Sequence, residues 1–137
     1  MSDIEVTRLL PAPPDEVFRW WTEAELLERW MSPLGSVEAD IDLRVGGSFR
    51  IVMRHSGFEI DHTGEYLEID RPRRLVLSWH SRYTAGPSQV TISFQAEGQH
   101  GTRLLIVHSG LPDDAANDHR GGWATMVGRL LTEMQAP

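Results

Sequence analysis

The hydrophobic pattern at the end of the chain predicts one long amphipathic helix. From His119 to Gln135 the sequence reads HRGGWATMVGRLLTEMQ, and its apolar residues recur at intervals of three and four: Trp123, Met126, Val127, Leu130, Leu131 and Met134. This spacing places them on one side of a helix, so we expect that side to be buried. We expect the helix to begin near Pro112, with Asp113 and Asp114 in its first turn.

From Ser36 onwards the apolar period changes to two, which predicts strands. Together with a first strand near the amino terminus, the predicted strands cover residues 4–10, 37–43, 49–55, 59–69, 75–79, 90–94 and 104–108. Short turns between them favour antiparallel pairing. In the 59–69 strand two inner faces remain open. Either Tyr66 with Gly64, or Leu67 with Ile69, faces the core, and a bulge near Gly64 could serve both.

Two short helices are predicted between the first two strands, with a joint near Thr22. Pro14 suits the first turn of a helix, and the apolar face continues at Val17, Phe18 and Trp21. The second helix has Leu26, Leu27 and Trp30 on one face. The element order therefore predicts an α+β fold, in which the last helix covers the apolar face of a seven-stranded sheet.

Composition narrows the class of protein. The 137 residues fit one domain spanning 1–137, and a net charge of -7 argues against nucleic-acid binding, which needs a concentrated basic face. No cysteine is present, which excludes disulfides and thiolate sites. The amino terminus has no secretory signal pattern, and no apolar run approaches the length of a membrane span. We therefore expect a cytoplasmic protein that does not bind membranes.

Five stretches of the chain resemble a known family. They are EVFRWWTEAELLERWMSP, VGGSFRI, GEYLEIDRPRRLVLSW, TRLLIVHSGLP and the Gly122–Trp123 pair that opens the final amphipathic run. Their order is similar to that of the helix-grip, or START/Bet v 1-like (SRPBCC), superfamily. Within it they resemble the bacterial proteins related to the carboxy-terminal domain of the activator of Hsp90 ATPase.

This resemblance implies a curved seven-stranded antiparallel sheet wrapped around the long carboxy-terminal helix, with the two short helices supporting it. It also implies an elongated apolar cavity between helix and sheet. Members of the family bind hydrophobic small molecules, some relatives catalyse cyclisation or hydrolysis, and the eukaryotic namesake binds Hsp90.

Two histidines stand at the ends of apolar alternations, His55 after Met53 and His108 after Ile106. If the period of two holds, both point towards the face that the last helix covers. A neutral imidazole there could orient a ligand or act as a base, whereas the alternative is a ring satisfied by a backbone carbonyl or water. The resemblance favours His108, because a histidine before the final helix is typical of the family.

The sequence predicts a ligand cavity, with a filled core as the alternative, and we expect Gly128 to thin its helical wall. The predicted ligand-binding residues are Met53, His55, Tyr66, Trp79, Phe94, His108, Trp123, Met126, Val127 and Leu130. No catalytic residue and no cofactor is assigned. The histidines lack HxxxH or HExxH spacing, so no metal site is predicted either.

The leading hypothesis is a non-catalytic module that binds a small hydrophobic or amphipathic ligand. One alternative is an enzyme that uses His55 or His108 as an acid or base. Another is a domain that contacts an Hsp90 homologue, which we rank lowest because the chain resembles the namesake's carboxy-terminal domain alone. A homodimer is also expected, built on exposed sheet edges or on Trp20 beside Trp21 if one of these rings faces outward.

Overall fold

The computed structural model describes residues 1–84 and 86–136. In this part of the chain the strands are β1 (Ser2–Leu10), β2 (Ser36–Ile41), β3 (Ser48–His55), β4 (Phe58–Asp70), β5 (Arg74–Trp79), β6 (Ser88–Glu97) and β7 (Gly101–Leu111). The α-helices are α1 (Pro14–Thr22), α2 (Ala24–Leu27) and α3 (Ala116–Gln135). The predicted α+β helix-grip fold is therefore confirmed. None of the described helices is long and apolar enough to cross a membrane.

The seven strands form one antiparallel sheet in the order β1-β7-β6-β5-β4-β3-β2. Strands β2 to β7 follow one another along the chain, so each pairs with its sequence neighbour. Strand β1 pairs with β7 instead, because α1 and α2 carry the chain from one edge of the sheet to the other. The inner face of the sheet is then free to receive α3.

The inner side of α3 carries the predicted apolar stripe. Trp123, Met126, Val127 and Leu130 are buried, and Leu131 and Met134 pack against the core at its margin. The α-helix begins at Ala116 and not near Pro112, because residues 113–115 form a 3-10 turn. That turn holds the two aspartates that the sequence placed in the first turn of the helix.

Gly128 lies on the outer side of α3, where it borders a shallow groove with Thr125 and Thr132. The prediction that it thins a cavity wall is therefore wrong. Five residues of α-helix rotate the chain by about 140°, so a residue five positions after the inward-facing Trp123 points away from the sheet.

Strand β4 resolves the choice between Tyr66 and Leu67. Tyr66 faces the core, whereas Leu67 is 46% exposed. The pairing with β5 shifts register between Tyr66 and Glu68, which returns Ile69 to the inner side. The bulge thus lies at Leu67 and not near Gly64. A Cβ on Gly64 would lie 2.0 Å from the Ser78 carbonyl oxygen, so this position needs glycine for a close approach.

Helix α1 buries both of its tryptophans. Trp20 is covered by the Arg29 guanidinium, which lies 4.8 Å from the ring centroid, so the condition for a dimer contact through an outward-facing tryptophan ring is not met. Trp21 packs edge-on against Trp30 at 4.7 Å and stacks on Trp123 of α3 at 5.9 Å. Trp21 of α1 and Trp30, three residues after the end of α2, therefore fill one part of the space between α3 and the sheet with large aromatic rings.

Candidate functional site

A cavity of about 1010 Å³ lies between the first half of α3 and the hairpin of β3 and β4. Its wall is completed by residues 32–34 after α2, by residues 82–84 after β5 and by the 3-10 turn before α3. The volume is at the upper end of the range for sites that bind small molecules. The helix-grip architecture leaves this space because α1 and α2 fill only the other part of the interior.

The floor of the cavity is apolar and aromatic. It is formed by Trp79 of β5, Met53 of β3, and Trp123 and Met126 of α3, all of them buried. The rings of Trp79 and Trp123 pack against each other, with centroids 5.2 Å apart. Indole and thioether side chains offer a large polarizable surface to an apolar ligand.

The rim of the cavity is apolar too, although it faces solvent. Leu34, Phe58 and Tyr83 line the cavity and are 60%, 68% and 53% exposed. Exposed apolar side chains gathered around a concave site are typical of a binding surface. Such side chains lose contact with water when a ligand occupies the cavity, so their position favours the binding of apolar molecules.

Charged groups are confined to the outer part of the wall. The Arg82 guanidinium donates to the carbonyl oxygen of Glu59 and lies 5.8 Å from the ring centroid of Tyr83. Asp114 and Asp118 are exposed at the start of α3. The cavity therefore combines a neutral floor with a charged margin.

His62 is the polar residue of the floor. It lies on β4 opposite Ile51, lines the cavity, and is 8% exposed. Burial is the main cause that lowers its pKa to about 4, and backbone hydrogen bonding with Ile51 and Ile60 opposes it, so the ring is neutral at pH 7. Its Nδ1 is buried without a hydrogen-bond partner among the described residues. An unpaired buried polar group of this kind costs about 1–3 kcal/mol.

His108 stands behind the floor and has no exposed surface. Trp123 Nε1 donates to its Nδ1 at 3.0 Å, so Nδ1 carries no proton and Nε2 carries one. His108 Nε2 then donates to Ser88 Oγ at 2.7 Å, and Ser88 Oγ donates to the Trp79 carbonyl oxygen at 2.6 Å. Burial and the neighbouring His119 and His62 lower the pKa of His108 to about 3. The neutral ring of His108 thus connects the indole of Trp123, through Ser88, to the backbone of Trp79.

Two further histidines lie on the cavity wall. His119, one turn before Trp123 on α3, has its Nδ1 2.9 Å from the Ala115 carbonyl oxygen, so Nδ1 is the donor of that hydrogen bond. His55 is exposed, with its Nε2 3.2 Å from Ser56 Oγ. In its neutral form His119 keeps a lone pair on Nε2 that can accept a hydrogen bond.

The structure brings five of the ten predicted site residues to the cavity wall: Met53, His55, Trp79, Trp123 and Met126. The other five are buried away from it: Tyr66, Phe94, His108, Val127 and Leu130. Burial raises the pKa of Tyr66, which borders a narrow internal gap, and Phe94 packs on Phe18 with ring centroids 5.2 Å apart. Contact of the first five with a ligand stays a prediction.

Two histidines, His62 and His119, are among the wall residues that sequence reasoning missed. His62 shares a strand face with Tyr66, so a decision for Tyr66 as the inward residue would have placed His62 inward as well. His119 precedes Trp123 by four residues, which puts both on one helical face. Extending the apolar stripe one turn towards the amino terminus would have found it.

Across residues 1–84 and 86–136, no three His, Cys, Asp or Glu side chains are grouped closely enough to hold a metal ion. Two of the histidines in or behind the cavity are already engaged, His108 with Trp123 and His119 with the Ala115 carbonyl. The chemistry that His62 offers is hydrogen bonding by a neutral imidazole in the apolar floor of the cavity.

Comparison with known proteins agrees with this architecture. Residues 11–135 match the family model described as activator of Hsp90 ATPase homolog 1-like protein. No curated protein sequence matches the chain.

Among solved structures, the chain is similar to protein CV1439 from Chromobacterium violaceum, with 26% identity, a TM-score of 0.84 and full coverage of both chains at 100%. It is also similar to PFC0360w, an HSP90 activator from Plasmodium falciparum, with 26% identity and a TM-score of 0.82 over 100% of this chain and 99% of that chain. CalU16 from Micromonospora echinospora shares 27% identity, with a TM-score of 0.77 over 97% of this chain and 76% of that one.

Proposed function

The chain belongs to the family of activator of Hsp90 ATPase homolog 1-like proteins, and from this premise and the cavity geometry we propose that it binds one small, largely apolar molecule between α3 and the β3–β4 hairpin. The observation that carries the proposal is the open cavity of about 1010 Å³ with an apolar floor and an apolar rim. An interior built only for stability would be filled to the density of an organic crystal.

Burial of apolar surface supplies the affinity. Each Å² of apolar surface removed from water contributes roughly 25 cal/mol, so a ligand covering the exposed Leu34 and Phe58 gains at its rim as well as at the floor. The side chains of the floor are held in place before binding, because His108 fixes Trp123 through a hydrogen bond. Little ordering is then required when a ligand enters.

Gly122 offers a direct test of the cavity. It lines the cavity, and an added Cβ would meet no heavy atom within 4 Å, so the side chain of Gly122→Phe can enter the cavity without moving the core. We expect wild-type protein to bind naphthalene, an uncharged apolar probe, and the variant to lose at least about tenfold in affinity because the ring occupies the site. Saturation-transfer NMR and calorimetric titration measure both.

The matched control is Gly121→Phe. Gly121 precedes Gly122 on the same helix, is exposed, and also has open space at its Cβ position. Both changes replace a helical glycine by the same residue, so their effects on helix propensity are similar. Equal binding of naphthalene by the two variants, or no binding by the wild type, would contradict the proposal.

A second experiment looks for the natural ligand. Protein purified from its own host is weighed under native and denaturing conditions. A discrete mass that is lost on denaturation supports the proposal and identifies the ligand class. If wild-type and Gly122→Phe protein carry the same extra mass, that molecule is bound elsewhere.

The likeness to the Plasmodium falciparum HSP90 activator favours a second candidate, contact with an Hsp90-type chaperone. The match covers 99% of that solved chain. Retention by a purified bacterial Hsp90 homologue, together with a change in its ATPase rate, would support this function. Absence of both would remove it.

A further inference from the structure

We propose that the molecule bound in this cavity is uncharged and carries a hydroxyl group that hydrogen-bonds to His62. This inference rests on the proposed function and adds the polar chemistry of the ligand. The geometry behind it is one buried imidazole in the apolar floor of the cavity, with no hydrogen bond to another side chain among the described residues.

Few polar groups in or beside the floor of the cavity remain available to hydrogen-bond to a ligand. Both nitrogens of His108 are engaged, with Trp123 and with Ser88, so it has nothing to offer a ligand. His62 differs, because it is more than nine-tenths buried, lines the floor, and has an Nδ1 with no partner among the described residues. Its Nδ1 has almost no surface open to the cavity, so a ligand reaches the ring through Nε2, for which the described residues provide no side-chain hydrogen bond. Buried polar groups in folded proteins are nearly always paired, so this nitrogen indicates that the bound molecule supplies its partner.

The tautomer of the His62 imidazole determines which ligand group can hydrogen-bond to it. A neutral imidazole has one donor nitrogen and one acceptor nitrogen, and the structure leaves the tautomer of His62 open because nothing pairs with Nδ1. A hydroxyl both donates and accepts, so it matches either tautomer. His119, whose Nδ1 donates to the Ala115 carbonyl, presents an acceptor on the same wall in its neutral form, which also calls for a donor on the ligand.

The charges on the cavity wall determine whether an ionised ligand can be bound. Among the described wall residues Arg82 is the only lysine or arginine, and its guanidinium is engaged with the Glu59 carbonyl and stacks on Tyr83 at the margin. Asp114 and Asp118 add negative charge to the same margin. The floor around Trp79 and His62 thus provides no cation to pair with a carboxylate, and burying an unpaired charge is strongly unfavourable.

The test compares three probes that share one ring system: naphthalene, 2-naphthol and 2-naphthoate. We expect 2-naphthol to bind about threefold to tenfold more tightly than naphthalene, which is the net effect of one hydrogen bond. We expect 2-naphthoate to bind more weakly than both at pH 7. Calorimetric titration gives the three affinities. The imidazole nitrogen signals of His62 are expected to shift more with 2-naphthol than with naphthalene, because only 2-naphthol adds a hydrogen bond to the ring-current effect that both probes exert.

Substitution of His62 links the preference to this residue. In His62→Phe, which keeps a ring of similar size, naphthalene binding is retained and the preference for 2-naphthol is lost. His62→Asn keeps a donor and an acceptor and is expected to retain part of the preference. His100→Phe, at an exposed histidine in the turn between β6 and β7, is the control and leaves the preference unchanged.

The outcomes separate this inference from the proposed function. Equal affinity for naphthalene and 2-naphthol, tighter binding of 2-naphthoate, or a preference that survives in His62→Phe would overturn the inference and leave the cavity as a binding site. Failure of all three probes to bind wild-type protein would overturn the proposed function, and this inference with it.

Discussion

The interior between α3 and the sheet has two regions that differ in how they are filled. In the closed region, the rings of Phe18 and Phe94 meet with centroids 5.2 Å apart, and Trp21 packs on Trp30. In the open region, Trp123 and Met126 face a cavity of about 1010 Å³. Both regions are lined by apolar side chains of one sheet and one helix.

The two regions show that an apolar face on a strand or helix does not by itself mean that the space beside it is filled. The closed region receives a third layer, because α1 inserts its aromatic rings beside α3, and Trp30, which follows α2, packs on Trp21. The open region has only loops and the β3–β4 hairpin at its mouth, and these do not reach across it. A sheet that curves around one helix therefore leaves space wherever no further helix covers the gap.

The largest expected effect is the loss of stability that follows a substitution in the closed region. Phe18→Ala removes a fully buried ring that packs on Phe94, so we expect the free energy of unfolding to fall by about 3–5 kcal/mol. Phe58→Ala, at the rim of the open region, is expected to change it by less than about 0.5 kcal/mol, because the ring is 68% exposed. Urea unfolding measures both, and similar losses would contradict the division into two regions.

The next effect is the pH dependence of the free energy of unfolding, which two histidines in and behind the cavity determine. The folded-state pKa values of His62 and His108 are lowered to about 4 and about 3, whereas a histidine of the unfolded chain titrates near its usual value of 6.5. Between these values the unfolded chain binds more protons, so stability falls as pH falls below about 6.5. From pH 7 to pH 5 we expect a loss of about 2 kcal/mol for each histidine.

Urea unfolding at the two pH values tests this prediction with His62→Phe as the comparison. The variant lacks one of the two titrating rings, so about half of the loss is expected to disappear. A loss that is the same in variant and wild type would show that other groups carry the pH dependence.

The smallest effects are expected at two glycines, one in a crowded position (Gly64) and one in open space (Gly121). Gly64→Ala places a Cβ 2.7 Å from the Phe49 ring and still closer to the Ser78 carbonyl, so we expect a loss of about 1–3 kcal/mol from overpacking. Gly121→Ala meets open space on a helix and is expected to gain up to about 1 kcal/mol in stability. Thermal unfolding measures both, and changes of the same sign would contradict the assigned environments.

Much of the candidate site could be predicted because strand and helix periods are local. Trp79, Trp123 and Met126 were placed inward by spacing alone, and all three line the cavity. Phe94 and Val127 have the same inward pattern but lie in the filled interior. The pattern reports which face a residue is on, and it does not report what stands opposite that residue.

His62 shows a different limit. Its orientation depends on whether β4 is regular, and the bulge at Leu67 lies only five residues away. Two phases of alternation fitted the same strand, so the sequence left the inward face undecided. Pairing with β3 and β5 selects one phase, because each neighbour presents its own apolar face to the core.

By itself, the sequence determined the order of the elements, the buried stripe of α3 and the inward faces of most strands, because these follow from periods of 3.6 and two within single segments. Only the tertiary structure decided where the interior is filled and where it is open, and which histidines meet there. Those properties depend on how α1 and α2 lie against α3 and on how far the loops extend. Such distances join residues that are remote in the chain, and no local period encodes them.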